Sequence, residues 1–405
     1  MHLLWGGTPE NGVTAQEDTA VETIPFEGTT ITKGGNYEIL EGKYAGNITV
    51  NLTDTSEPVN IAIKGGITYN GTQQVMFINV KNADEVTITN DGHEVNCKPS
   101  DAHFLDVSSG NVTVNGGTYV TATRNVVMAY AGTTTLNDMT TETSGYAVTS
   151  SGSAKVVVNR GTHTHSNTNQ DRANFWIFNG GHMTLNDVTA ISEEAVILNS
   201  TGTVDVNGGD FKTTGTKSCF VNNSANLTIN KGSTTEGNFV SEGASCINNS
   251  WGQVRINGGS FTTDAGIAVK NRGGLRLNGG TVEAPNGGTA IDISGESGDV
   301  QLNGGTIRNS VTGVRVADAG DSEIDLKAVT FENNTDDISL GNDQQINIKK
   351  SFVGTAKIRV DDPARGRQIT TDNEDSPYQK ELNLISRNEG YVIGYKKVTD
   401  GRSEE

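Results

Sequence analysis

Short stretches of this chain alternate apolar and polar residues with a period of two, the pattern of a strand with one buried face. Five of these stretches run into the same corner: Val112-Thr-Val-Asn115-Gly-Gly-Thr-Tyr119, Val204-Asp-Val-Asn207-Gly-Gly-Asp-Phe211, Val254-Arg-Ile-Asn257-Gly-Gly-Ser-Phe261, Leu275-Arg-Leu-Asn278-Gly-Gly-Thr-Val282 and Val300-Gln-Leu-Asn303-Gly-Gly-Thr-Ile307. Degenerate copies stand at Asn90, Asn137, Asn159, Asn186, Asn230 and Lys327, and successive anchors lie 21 to 27 residues apart. A repeat of roughly 20 to 30 residues made of strands and Gly/Asn turns predicts a solenoid.

Positions three and one before most anchors are apolar, for example Val112 and Val114, Val204 and Val206, Leu275 and Leu277. Stacked coil on coil, they make two inward ladders. Tyr119, Phe211, Phe261, Val282, Ile307 and Phe331 make a third after the turn. A further short strand precedes each anchor, as in Phe104-Leu-Asp-Val107, Ile267-Ala-Val269, Ile291-Asp-Ile293 and Val314-Arg-Val316. Asn suits the corner because it tolerates a left-handed backbone and hydrogen-bonds locally, and Gly because the turn is tight. Asn side chains at equivalent corners can also bond to one another.

Three strands and three corners per coil of about 24 residues predict an all-β fold, a single-stranded right-handed parallel β-helix. Its 12 to 14 coils would span 24–350, a rod on the order of 60 Å at about 4.8 Å per coil. Residues 1–23 read as a polar N-terminal segment, in which Thr14 to Thr23 is a candidate cap. Residues 351–405 read as a C-terminal cap and polar tail, with Leu382-Asn-Leu-Ile385 and Gly390-Tyr-Val-Ile-Gly-Tyr395 as segments that can fold back. Solenoid ends need covering.

Composition narrows the function. The chain has 405 residues, 33% hydrophobic, 50 of them Gly, which suits a rod with a thin core. Its net charge of −18 argues against nucleic acid and anionic membranes as partners. No apolar run approaches a membrane span. The opening Met1-His-Leu-Leu-Trp5 is too short for a secretory signal, leaving a mature fragment with an added Met or a protein that never used that route. Cys219 and Cys246 both lie eleven residues before their anchors, so they fall on adjacent coils as a buried stack or a disulfide; Cys97 has no partner in register.

The stacked alternation with Asn-rich corners over 24–350 resembles the right-handed β-helix superfamily of pectate lyases, polygalacturonases and phage tailspikes. The Asn-Gly-Gly repeats look most like its adhesive, bacterial cell-surface members. The superfamily's hydrolases carry paired Asp residues with Gly-His-Gly and Arg-Ile-Lys segments; here Met183 follows Gly181-His182, and no Arg-Ile-Lys occurs. The lyases carry Arg-x-Pro-x-x-Arg and a carboxylate cluster for calcium. The nearest segment, Asp361-Asp-Pro-Ala-Arg-Gly-Arg367, lies beyond the rod and departs from that pattern. Calcium has no supporting motif, and no cofactor is called for.

Chemistry is sought at outward positions, which the core does not constrain. Between the first two ladders they read Thr113, Thr135, Val157, Thr184, Asp205, Thr228, Arg255, Arg276, Gln301 and Asp325. Arg255 above Arg276 is a like-charge contact that an anion would relieve. Lys270, Arg272, Arg308 and Arg315 fall in the same stretch, a candidate site for uronate, sulfate or sialate groups. The plain alternative is that Asp264, Glu283, Asp292 and Asp299 neutralise a solvated face.

The two 27-residue coils contain Trp176 and Trp251, where extra residues would bulge as loops. Asp171, Arg172, Trp176 and Phe178 offer rings beside charge, the chemistry of a sugar platform. Either Trp176 and Phe178 or Phe175 and Ile177 must face the core. His163, His165 and His182 lie close in register, but zinc needs three ligands and a supporting shell, and His163 occupies an inward position. Thr133 to Thr135, Thr140, Thr141 and Thr143 raise ice binding, which coils of varying length disfavour. Carboxylates such as Asp318, Asp321, Glu323, Asp325, Asp336 and Asp337 are too many for any chance pair to signify a general acid.

The expectation is therefore a non-catalytic, secreted or cell-surface adhesin-like β-helix. Its partner would be a polysaccharide or host-surface glycan, or a host protein. The alternatives are a polysaccharide lyase or hydrolase using Arg255, Arg276, Asp292 and Arg315, and a structural or protein-binding surface module.

Overall fold

The computed structural model describes residues 20–72, 75–166, 172–264, 266–295, 299–318, 324–349, 352–370 and 383–393. The chain is a parallel β-helix of about 14 turns, each of about 23 residues. Each coil contributes one strand to each of three parallel sheets. In one such coil, His103–Val107 lies in sheet B, Asn111–Asn115 in sheet A and Thr118–Val120 in sheet C. Among the described residues sheet A has 15 strands, sheet B 16 and sheet C 13.

The predicted ladders are the core. Val112, Val114, Val204, Val206, Leu275 and Leu277 are fully buried, and so are Tyr119, Phe211, Phe261, Val282 and Ile307 in sheet C. Phe331 is only partly buried, because Thr330–Glu332 is the last strand of sheet C and nothing stacks beyond it. Phe239 joins the third ladder between Phe211 and Phe261, stacking with centroids at 5.3 and 4.6 Å.

The A-to-C corner carries a continuous asparagine ladder. Asn115, Asn137, Asn159, Asn186, Asn207, Asn230, Asn257, Asn278 and Asn303 each pass an Nδ2–H to the Oδ1 of the preceding member, with eight contacts of 2.7–2.9 Å. Contrary to the sequence expectation, these Asn residues are not left-handed. Positive φ falls on the next residue, Gly116 (71°), Asp138 (53°), Arg160 (58°), Asp187 (49°) and Gly208 (69°), or one further on at Gly259 (94°). The anchor is Asn because a primary amide both donates and accepts along the stack. At Gly209, φ is 96° and a Cβ would lie 2.4 Å from the Val188 carbonyl oxygen, so only Gly fits.

Asn90 is not an anchor either: Asn115 pairs with Thr89, which leaves Asn90 one residue out of register. Its buried amide bonds the His93 backbone and the Tyr119 hydroxyl instead. A second ladder, fully buried at the B-to-A corner, links Asn199, Asn222, Asn249 and Asn271 at 2.7–3.0 Å.

The ends differ from the sequence reading. Val21–Thr23 is a strand pairing with Gly35–Ile39, not part of a helical cap, and residues 14–19 lie outside the described residues. At the other end Thr355–Val360 and Asn383–Ser386 extend sheet B, while an isolated parallel bridge joins Ile346, beside the last described strand of sheet A, to Thr370. Residues 390–393 form no strand; Gly394 and Tyr395 lie outside the described residues. Cys219 and Cys246 are buried free thiols on adjacent coils, so the stack is present and the disulfide is not. Burial raises both thiol pKa values, Cys246 to about 12.

Two polar rings sit inside the rod. His163 occupies the third ladder, its Nδ1 2.9 Å from Thr141 Oγ1 and its ring edge-on to Phe175, and His165 Nδ1 lies 3.0 Å from Ser192 Oγ. Desolvation pushes His163 down to about 3 and His165 to about 4. Both are neutral when folded, whereas the unfolded chain protonates near pH 6.5. Their contribution is therefore complete above about pH 6.5 and is lost as pH falls toward 4 and then 3.

Two measurements test these energetics. Between pH 6.5 and 5 the urea stability of the rod should fall by about 2 kcal/mol per imidazole, and the double variant His163→Leu, His165→Leu should lack that component. Asn222→Ala strands the buried Asn249 Oδ1 and should cost roughly 3 kcal/mol, against about 1 kcal/mol or less for Asn278→Ala in the exposed ladder. Equal urea midpoints for the two Asn variants would contradict this account.

Candidate functional site

The outward row of sheet A is the one the repeat dictates. Thr113, Thr135, Val157, Thr184, Asp205, Thr228, Arg255, Arg276, Gln301 and Asp325 pair in successive register. The two acids of the row have partners that absorb their charge: His182 Nε2 lies 3.2 Å from Asp205 Oδ2. Asp325 is buried, taking a 2.7 Å bond from Asn347 with Lys327 and Lys349 each at 3.4 Å.

Arg255 and Arg276 are different. They are directly paired, both exposed, and neither makes an ion pair or hydrogen bond among the described residues. Three of the four acids that might have neutralised them are held elsewhere, and the fourth, Asp299, makes no ion pair with them among the described residues. Glu283 bonds Arg308 at 3.0 Å on sheet C, and Asp292 lies 3.9 Å from Arg315 on sheet B. Asp264 holds Asn286 at 2.8 Å, and Asp299 is exposed just before the sheet A strand that pairs with Arg276.

Lys270 and Arg315 belong to the outward row of sheet B. That row runs Trp176, Leu198, Val221, Asn248, Lys270, Asp292, Arg315, Ser339, Arg359. Thus the set Arg255, Arg276, Asp292 and Arg315 is divided between two sheets. The B-to-A corner joins part of the basic group: Lys270 on sheet B, Arg272 in the turn and Arg276 on sheet A follow one another around one coil. Arg255 extends this collar to the preceding coil.

The aromatic group sits further up sheet B. Phe175 and Ile177 are the core pair, fully buried; Trp176 and Phe178 face outward, half-buried. Trp176 stacks on Phe178 at 4.1 Å and on Tyr146 at 4.8 Å, and the Arg172 guanidinium lies 5.1 Å from the Tyr146 ring centre. Its indole N–H donates to Ser200 at 3.4 Å, and Leu198 and Val221 pack alongside. Tyr146 escaped the sequence reading because it lies one coil earlier, in the loop leading into Val148–Ser151; only coil register brings it to Trp176. Asp171 lies outside the described residues.

Trp251 is 61% exposed and is not in a bulge. It sits in the short turn after Ile247–Asn249, whereas the extra residues of its coil form the loop 231–237. That loop is tethered by Asp187, whose carboxylate accepts from the Ser233 hydroxyl at 2.6 Å and from the Thr235 backbone and hydroxyl at 3.3 and 3.2 Å.

His182 is on the outer face of sheet A, while His163 and His165 lie in the core, so the three rings do not converge. Among the described residues no three His, Cys, Asp or Glu side chains group as metal ligands. No helix there is long and apolar enough to cross a membrane. Comparison of the chain with family models, curated proteins and solved structures finds no match.

The Trp176 stack makes a direct prediction. Trp176→Ala removes the ring between two stacked partners and should cost about 3 kcal/mol, as for a packed core aromatic. A loss under about 0.5 kcal/mol in urea unfolding would mean that the stack is surface decoration.

Proposed function

We propose that this β-helix is a non-catalytic, adhesin-like protein, secreted or displayed on a bacterial surface, that binds acidic glycans along the collar of Arg255, Arg276, Arg272 and Lys270. One observation carries the reading: in a chain of net charge −18, two exposed arginines lie in register on neighbouring coils with no acid among the described residues paired to either. Two arginines set side by side on strands about 4.8 Å apart hold like charges close together. A polymer bearing carboxylates or sulfates relieves that repulsion with charge-assisted, bidentate bonds. The rod's stiffness supports binding by many weak contacts, so affinity rises with polymer length.

A lyase or hydrolase would need acid, base and substrate-neutralising groups around one bond. The separation of Arg255 and Arg276 on sheet A from Asp292 and Arg315 on sheet B weighs against that arrangement.

A native gel cast with polygalacturonate, dextran sulfate or neutral dextran tests the proposal. The two acidic polymers should retard the protein, neutral dextran should not, and none should show a cleared zone. The double variant Arg255→Ala, Arg276→Ala should bind at least about tenfold more weakly, since each charged bond is worth roughly 1.5–3 kcal/mol. Salt should weaken wild-type binding. Unchanged retardation of the double variant, or a zone of degraded polymer, would overturn the reading.

A further inference from the structure

The last coils contain a buried polar group that the glycan reading leaves unused. Asn334 sits in the loop entering the sheet B strand Asp336–Leu340, and it is only 3% exposed. Its side-chain carbonyl accepts the Ser310 backbone N–H at 3.1 Å. Its amide nitrogen donates to Asp337 Oδ1 at 3.1 Å and to the Ile307 carbonyl at 2.9 Å. Asp337 is 2% exposed, and its other oxygen accepts the Lys357 backbone N–H at 2.8 Å. Lys357 lies half-buried on the adjoining strand Thr355–Val360, and its ammonium donates to the main-chain carbonyl of Asn334 itself.

These groups have complementary chemistry. A lysine amine is a nucleophile when deprotonated. The Asn334 carboxamide is a polarised electrophile, because an N–H is already aimed at its oxygen where charge would develop. The leaving nitrogen is already bonded to a carboxyl group placed to hand it a proton. The site is enclosed, so water competes poorly with a tethered amine at high effective concentration.

We propose that Lys357 and Asn334 condense into an intramolecular amide cross-link between neighbouring coils, with Asp337 as proton carrier and the Ser310 N–H as oxyanion donor. Half-buried Nζ loses a proton to solvent and attacks Cγ of Asn334; the attacking nitrogen, now next to the departing one, yields its surplus proton to Asp337. The tetrahedral intermediate, its oxygen held by Ser310, then breaks the Cγ–Nδ2 bond. Asp337 passes the proton to the departing nitrogen, which leaves as ammonia. Lysine ammonium and carboxamide become a secondary amide and ammonium ion, with no oxidant, cofactor or second substrate. The cross-link ties Thr355–Val360 to the coil before it, beyond the last strands of sheets A and C among the described residues. Solenoid ends are where fraying begins.

The test is mass spectrometry of the full chain under denaturing conditions, followed by peptide mapping. The expected wild-type mass is one ammonia below that of its sequence, with a branched peptide joining the segments that contain Asn334 and Lys357. Lys357→Arg, which keeps the positive charge, should recover the full mass and unfold at lower temperature; Asp337→Asn should leave the chain largely unlinked. An intact wild-type mass with separate peptides would overturn the proposal. So would an ammonia deficit that persists in Lys357→Arg, because succinimide formation at an Asn-Gly corner loses the same mass. If Lys357→Arg fails to accumulate, the wild-type peptide map alone decides, since a succinimide yields no branched peptide.

Discussion

Parallel in-register stacking governs this molecule. Each strand takes its backbone partners from the coil before and the coil after, so any side chain lies about 4.8 Å from the residue at the same position one coil on. Like is therefore set upon like. Valine over valine and phenylalanine over phenylalanine deepen the core, as in Phe211, Phe239 and Phe261. Asparagine over asparagine works for a different reason, because each amide gives and receives one bond. Both corners between sheet A and its neighbours use this device, one ladder half-exposed and one buried.

The same constraint makes charge conspicuous. Ionised side chains repeating in register repel, and stacked charges elsewhere alternate in sign, as at Lys270, Asp292 and Arg315 on sheet B and at Asp138, Arg160 and Asp187 around the A-to-C corner. Arg255 over Arg276 breaks the rule. The Thr134 hydroxyl is buried without a partner among the described residues, but at other places inside the rod a neighbouring coil supplies partners to buried polar groups. Thr141 and Ser192 do so for the two buried imidazoles, at the expense of their protonation.

Much of this was legible in the chain. The inward ladders, the full outward row of sheet A and the inward place of His163 follow from period and spacing alone. The failures have identifiable causes. Asn90 looked like an anchor because spacing tolerates one residue of slip, whereas a side-chain ladder does not. Trp251 was assigned to a bulge because coil length says how many residues are extra but not which of three corners takes them up. The basic residues read as one cluster along the sequence, and the corner divides them between two faces.

What the sequence by itself determined is the periodic part: coil, sheet membership and, in the strands that run into the Asn corners, the facing of each residue. The backbone repeat imposes these regardless of what surrounds them. Tertiary structure alone decided the aperiodic part. It chose Phe175 over Trp176 for the core, brought Tyr146 onto Trp176 from the preceding coil, and gathered Asn334, Asp337, Ser310 and Lys357 at the end of the rod. Those meetings depend on the packing of one coil on the next, which no period in the chain records.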